Sequence, residues 1–180
     1  MSDKCLSASD GGNAPCYTFG MIKPRATREH LGPILETIVH HGLTIRRMET
    51  RQLGRADAEF LYAEHRGKFF YDRLVSFMTS GPIQVHILAR DDAIREWRTL
   101  MGPTKVFRTR FEQPDTIRGK FGLTDTRNCS HGSDSEETAA REIGFFFPEF
   151  DEAEFRERME KKFVEGRVEL DRLEFVHRPV

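Results

Sequence analysis

The sequence predicts an α/β sandwich, and three observations carry that expectation. Short apolar or alternating runs bounded by turn residues recur at 17–22, 43–53, 83–89 and 127–130. Between them lie stretches whose apolar residues fall three and four apart, so strands and helices alternate along the chain. The composition can fill a core, because 38% of the 180 residues are hydrophobic and 15 are Phe, against 32% charged. That length suits one domain at the usual ~100–200 residues per domain.

The first strand, 17–22, is stopped by Pro24, which leaves Lys23 at its C-terminal end. Leu31, Ile34, Leu35, Ile38 and Val39 then recur at helical spacing, and Gly42 stands where a C-cap belongs, so 28–41 is an amphipathic helix. Residues 43–53 alternate as the second strand. From 55 to 78, Phe60, Leu61, Phe69, Phe70, Leu74 and Phe77 predict two helical pieces broken near Gly67, before Gly81-Pro82 turns the chain. The third strand is 83–89, and Ile94, Trp97 and Leu100 mark a helix over 93–101. Residues 102–119 carry turn formers and basic side chains without periodicity, which reads as a long functional loop. A short strand at 127–130 leads to a helix over 135–147 with Ala139, Ile143 and Phe146 on one face. After Pro148, an acidic first turn precedes Phe155, Met159 and Phe163, four apart, and predicts a terminal amphipathic helix. The expected organisation is a flexible arm over 1–15, a domain over 16–147 and an extension over 148–180.

Lys plus Arg total 28 and Asp plus Glu 29, a formal net charge of -1, so no global field is available to grip a polyanion. Any anion site must be local. No apolar run approaches the ~20 residues of a membrane helix. Asp3 and Asp10 break the acid-poor pattern of an import peptide and no apolar signal core precedes the domain, so a cytoplasmic location is expected, with a mitochondrial one left open. Cys5, Cys16 and Cys129 are odd in number and share no metal-type spacing, which suits free thiols.

The chemistry concentrates in residues 128–135, Asn-Cys-Ser-His-Gly-Ser-Asp-Ser, which lead from a strand through a glycine turn into a helix. Ser133 and Glu136 have capping-box spacing, so the helix is expected to begin there with its unpaired amides facing His131. A neutral imidazole is a useful nucleophile near neutral pH when a carboxylate orients its other nitrogen. Glu142 is the candidate carboxylate, about 60° from the centre of the apolar face at ~100° per residue. A single turn histidine is more often solvated than reactive, so the weight falls on its company. Lys23, and Arg98, Thr104, Arg118 and Asn128 around the long loop, suit a triphosphate. Neither a Gly-x-x-x-x-Gly-Lys-Ser/Thr loop nor a Gly-x-Gly-x-x-Gly turn is present.

Asn128-x-x-His131-Gly132-Ser133-Asp134-Ser135 resembles the active-site signature of nucleoside diphosphate kinases. Thr18-Phe19-x-x-Ile22-Lys23-Pro24, Ser80-Gly81-Pro82 and Thr116-Ile117-Arg118-Gly119 resemble further motifs of that family in the same order, so the likeness spans 18–147. It implies an α+β, ferredoxin-like sandwich with a four-stranded antiparallel sheet covered by helices, here with a C-terminal helical tail. The implied reaction moves the γ-phosphate of ATP, with Mg²⁺, to another nucleoside diphosphate by a ping-pong route through a phosphohistidine. By the resemblance His131 is the nucleophile, Glu142 and Ser133 orient it, and Lys23, Arg98, Thr104, Arg118 and Asn128 contact phosphates and sugar. Tyr62 resembles a phosphate-side tyrosine, and Phe70 the aromatic that stacks on any base. Asp134 is expected to help hold water on the ion, which rides mainly on the phosphates, so no protein metal cage is expected.

Three residues depart from that pattern: Arg25 stands for an Asp, Lys68 for an Arg, and Asp125 for an apolar residue on the base. Weak base binding follows as an expectation, with Asp125→Val tightening it. The long loop and the extension resemble the family's divergent type-six branch and lie where classical members form subunit contacts, which leaves both a homo-oligomer and an activating protein partner open. The alternative reading is a catalytically weak, partner-dependent nucleotide-binding module. Nucleic acid is not an expected partner, because Arg118-Gly119-Lys120-Phe121-Gly122 lacks the aromatic that RNA-recognition strands carry directly after the glycine.

Overall fold

Alternation within the first strand sets the architecture. In β1 (Cys16–Ile22), Tyr17, Phe19 and Met21 enter one buried apolar cluster while Ile22 enters a second, so the strand separates two layers. The computed structural model describes residues 16–151, 153 and 161–180. After β1 come α1 (Pro24–His40), β2 (Thr44–Arg51), α2 (Arg55–Leu61), α3 (Tyr71–Met78), β3 (Ile83–Arg90) and α4 (Ala93–Met101). They are followed by α5 (Val106–Glu112), α6 (Ile117–Phe121), β4 (Ser130–Gly132) and α7 (Glu136–Phe146). The four strands form one sheet in the order β2-β3-β1-β4, antiparallel at every pairing, which is the ferredoxin-like α/β sandwich.

On one face, Met21, Val85 and Ile87 pack with Leu61 of α2, Val75 and Met78 of α3 and Ile143 and Phe146 of α7. On the other, Ile22 and Leu88 pack with Ile34 and Ile38 of α1 and with Trp97, Leu100 and Met101 of α4. At about 1.5–3 kcal/mol for each large side chain taken from water, these layers supply the main drive to fold. None of the helices in the described residues is long and apolar enough to cross a membrane.

Several boundaries differ from the sequence expectation for identifiable reasons. Helix α1 begins at Pro24, earlier than expected, because proline in the first turn gives up only an amide that has no helical partner there. The stretch expected as a loop over 102–119 contains α5 and α6. These are too short to show a period, and distant groups hold their starts: Asp125 Oδ1 accepts from the Val106 amide at 3.0 Å, and Thr116 Oγ1 from Gly119 at 3.2 Å. Strand β4 runs over Ser130–Gly132 rather than 127–130, paired to β1 through Met21 and His131, so His131 sits on the strand and not in a turn after it.

The extension adds a hairpin to the helical stretch expected there. Lys161–Val164 is helical, and β5 (Val168–Asp171) pairs with β6 (Val176–Pro179). Asp171 Oδ1 accepts from the amides of Leu173 and Glu174 at 3.0 and 3.1 Å and so closes the turn. β6 packs along β2, the sheet edge, where His177 Nδ1 accepts from the Ile45 amide at 3.1 Å. Phe175 and Val176 join the α1/α4 layer, and the Arg46 guanidinium lies 3.2 Å from the Phe163 ring centre. The arm expected over 1–15, and Phe155 and Met159 of the expected tail helix, lie outside the described residues.

Candidate active site

The chain enters β4 through Cys129, whose φ of 72° lies in the left-handed region, a cost of about 1–2 kcal/mol for a non-glycine residue. The Lys23 amide donates to the Cys129 carbonyl at 2.8 Å and the Ser130 amide to that of Asn128 at 2.9 Å, which fixes the bend. Beyond it, the His131 carbonyl accepts from the Trp97 indole N–H at 3.2 Å. Position 132 must be glycine, because a Cβ there would run into the Trp97 ring.

The His131 side chain meets α7. Its Nε2 lies 2.9 Å from Glu142 Oε1, and Ser133 Oγ donates to Glu142 Oε2 at 2.5 Å. Burial opposes ionisation of Glu142, yet the hydrogen bond and charge of His131 and the hydrogen bond of Ser133 outweigh it and hold the carboxyl below its ordinary value. A carboxylate on Nε2 keeps the proton on that nitrogen, so the lone pair is left on Nδ1. Ser133 is not the cap of α7. Ser135 Oγ accepts from the Thr138 amide at 3.2 Å and Thr138 Oγ1 from the Ser135 amide at 3.0 Å, a box displaced by two residues that releases Ser133 to Glu142.

His131, Ser133 and Glu142 line a cavity of about 1320 Å³ together with Tyr62, Arg98, Thr104 and Arg118. Arg98 and Thr104 are exposed on its wall. Arg118, buried on α6, donates through Nη1 to Gly102 O at 2.6 Å and through Nη2 to Ser130 O at 2.9 Å, while its Nε has no hydrogen-bond partner among the described residues. Burial, then the neighbouring Arg98 charge, lowers its pKa to about 10. Tyr62 is buried with its ring centre 5.9 Å from that of His131, and its hydroxyl likewise lacks a partner among the described residues. Burial and then the Glu142 charge push the phenol pKa up.

Three expected site residues stand back from the cavity wall. Lys23 is buried with Nζ 5.8 Å from the Tyr62 ring centre, and burial, then Arg118, lowers its pKa to about 7. Asn128 is buried with Oδ1 unpartnered among the described residues. Phe70 is half-buried ahead of α3, edge-on to His65 with ring centres 5.6 Å apart. Asp125 is not a group left hydrated beside a base: its carboxylate holds the Val106 amide and lies 3.1 Å from Lys105 Nζ. Sequence reasoning missed Trp97 as the clamp on β4 and His65 on the cavity wall. The second had a signal, since Tyr62-x-x-His65 puts both rings on one side of a helical turn.

Among the described residues no three of His, Cys, Asp and Glu converge into a metal cage. Asp134 lies on the cavity wall, where a 2.8 Å hydrogen bond from Thr138 Oγ1 outweighs the opposing effect of burial and keeps the acid below its ordinary value.

Comparison with known proteins matches residues 17–152 to the family described as nucleoside diphosphate kinase. "Nucleoside diphosphate kinase 6" of Danio rerio is 52% identical over 163 residues, covering 89% of this chain and 92% of that protein. Its Homo sapiens namesake is 51% identical over 155 residues, covering 84% and 82%. Among solved structures, the nucleoside diphosphate kinase of Aquifex aeolicus superposes with a TM-score of 0.71 at 36% identity, covering 74% of this chain and 96% of that one. That of Halobacterium salinarum, in complex with CDP, gives 0.68 at 38% identity, covering 74% and 88%.

Proposed function

This chain belongs to the nucleoside diphosphate kinase family, and from that membership and the cavity geometry we propose that it transfers the terminal phosphate of a nucleoside triphosphate, ATP in the first instance, to a nucleoside diphosphate through phospho-His131. The observation that carries the proposal is the Ser133–Glu142–His131 chain of hydrogen bonds at 2.5 and 2.9 Å, which leaves Nδ1 as the reacting nitrogen on a wall shared with two arginines.

In the first half-reaction the Nδ1 lone pair forms a bond to the γ-phosphorus as the bond from that phosphorus to the β,γ-bridging oxygen breaks, and the nucleoside diphosphate leaves with the electron pair. Glu142 offsets the positive charge that develops on the imidazole, and Ser133 holds the carboxylate in place. Arg98, the free Nε of Arg118 and the Tyr62 hydroxyl stabilise the phosphoryl oxygens. The second half-reaction reverses these bonds with a terminal phosphate oxygen of another diphosphate as acceptor. Lys23 and Asn128 act from behind the wall, and Phe70 offers its ring to the base, a contact indifferent to base identity. An Mg²⁺ ion fits this donor set as one carried by the nucleotide phosphates beside Asp134, where it neutralises part of their charge.

Initial rates at several fixed GDP concentrations test the route. A ping-pong transfer gives parallel double-reciprocal lines against ATP, whereas intersecting lines mean direct transfer in a ternary complex and overturn the phosphohistidine step. One observation favours a second reading, a nucleotide-binding module of low turnover. Asp125, aligned with an apolar base contact, is spent on the start of α5, which leaves Phe70 as the base-facing residue assigned here.

A further inference from the structure

The aromatic rings of this site form a row. Phe70 lies edge-on to His65 at 5.6 Å, His65 stacks on Tyr62 at 6.0 Å with 20° between planes, and Tyr62 meets His131 at 5.9 Å. The row runs from the residue assigned to the base to the residue assigned to the reacting phosphate. A nucleotide that reaches both ends must lay its ribose and inner phosphates along the middle, where His65 lines the cavity with its side chain 29% exposed. The short helical turn Ala63–His65 fixes the ring there, with the His65 amide donating to the Tyr62 carbonyl at 2.9 Å.

We propose that His65 is a contact for the inner phosphates of a bound nucleoside di- or triphosphate, and that it takes up a proton when they arrive. The inference rests on the nucleotide-binding reading and adds a residue that reading does not use. Every charged neighbour of the ring bears on that proton. Lys68 from the following loop puts Nζ 3.5 Å from Nδ1, an arrangement that suits a neutral imidazole accepting from the ammonium, and Glu64 on the same turn lies 3.8 Å from Nε2. His131 on β4 and Lys23 at the end of β1 add further positive charge. In the empty site burial comes first and the Lys68, His131 and Lys23 charges next in disfavouring the imidazolium, against Glu64, so its pKa lies below the ordinary histidine value. Phosphate oxygens reverse that balance: they draw Lys68 away from Nδ1 and stabilise the imidazolium as a second donor.

Calorimetric titration with Mg·ADP at pH 6 and pH 8, each in two buffers of different ionisation heat, reads the proton directly. The full-length protein should take up a fraction of a proton per ADP at pH 6 and bind about three- to tenfold more tightly there than at pH 8. The His65→Gln protein, measured with the same nucleotide so that ADP's own ionisation cancels, should lose that uptake and the matching part of the pH dependence. Equal proton uptake in the two proteins overturns the assignment and moves the proton to Lys23 or His131, while nucleotide binding itself stands. Failure of both proteins to bind ADP overturns the nucleotide reading, and this inference with it.

Discussion

At His131 one hydrogen bond decides which nitrogen can react. Glu142 on Nε2 directs the lone pair to Nδ1, and the same carboxylate is held from its other oxygen by Ser133. A neutral amide in place of Glu142 would keep the shape of this chain and remove the charge that compensates a forming imidazolium. Glu142→Gln should therefore lower single-turnover phosphoenzyme formation by about 10–1000-fold, by analogy with other orienting groups. Nucleotide affinity should change far less, because the phosphate-facing donors of Arg98, Arg118 and Tyr62 lie on other elements. Rapid-quench labelling at saturating ATP separates the two effects. An unchanged rate with weakened binding would make Glu142 a structural acid.

Helix α5 illustrates what an element of seven residues needs. So short a helix cannot persist on propensity alone, and its first amide is held by a carboxylate 19 positions away in sequence. Asp125→Val removes that acceptor at a cost of about 1 kcal/mol, the scale of a lost cap. It should speed hydrogen exchange at the first amides of α5 without tightening ADP, the opposite of what the family comparison of position 125 predicts. Tighter ADP binding with unchanged exchange would restore the base-clamp view. The same physics separates what the sequence could reveal from what it could not. Helix α4 is legible because Ala93, Trp97, Leu100 and Met101 repeat on one buried side over two turns. Glu142 is legible because α7 keeps its period through Ala139, Ile143 and Phe146. Helices α5 and α6 are not, since their anchors come from Asp125 and from short local caps rather than from a repeated face. The Ser133 hydroxyl was read as a cap because spacing alone cannot tell which of two serines takes that position. The hold of Trp97 on the His131 carbonyl spans 34 residues, which no local pattern encodes.

At the scale of the whole molecule the sheet order explains where chemistry can occur. β1 is central and β4 lies beside it, so His131 emerges where α4, α6, α7 and the turn after α2 converge, each contributing one group: Trp97, Arg118, Glu142 and Tyr62. At the opposite edge β2 is covered by the C-terminal hairpin through His177 and Ile45, so the extension completes the fold away from the cavity. Near-neutral net charge is compatible with an anion site because the cations are gathered at one end of the sheet rather than spread over the surface. The claim on which this arrangement depends is that His131 becomes covalently phosphorylated. Full-length protein mixed with γ-labelled ATP and Mg²⁺, quenched within one turnover and divided between acid and alkali, tests it directly beside His131→Gln. The account predicts a label that survives alkali, is lost in acid, passes to added GDP and is absent from His131→Gln; an acid-stable label, or equal labelling of the variant, would contradict it.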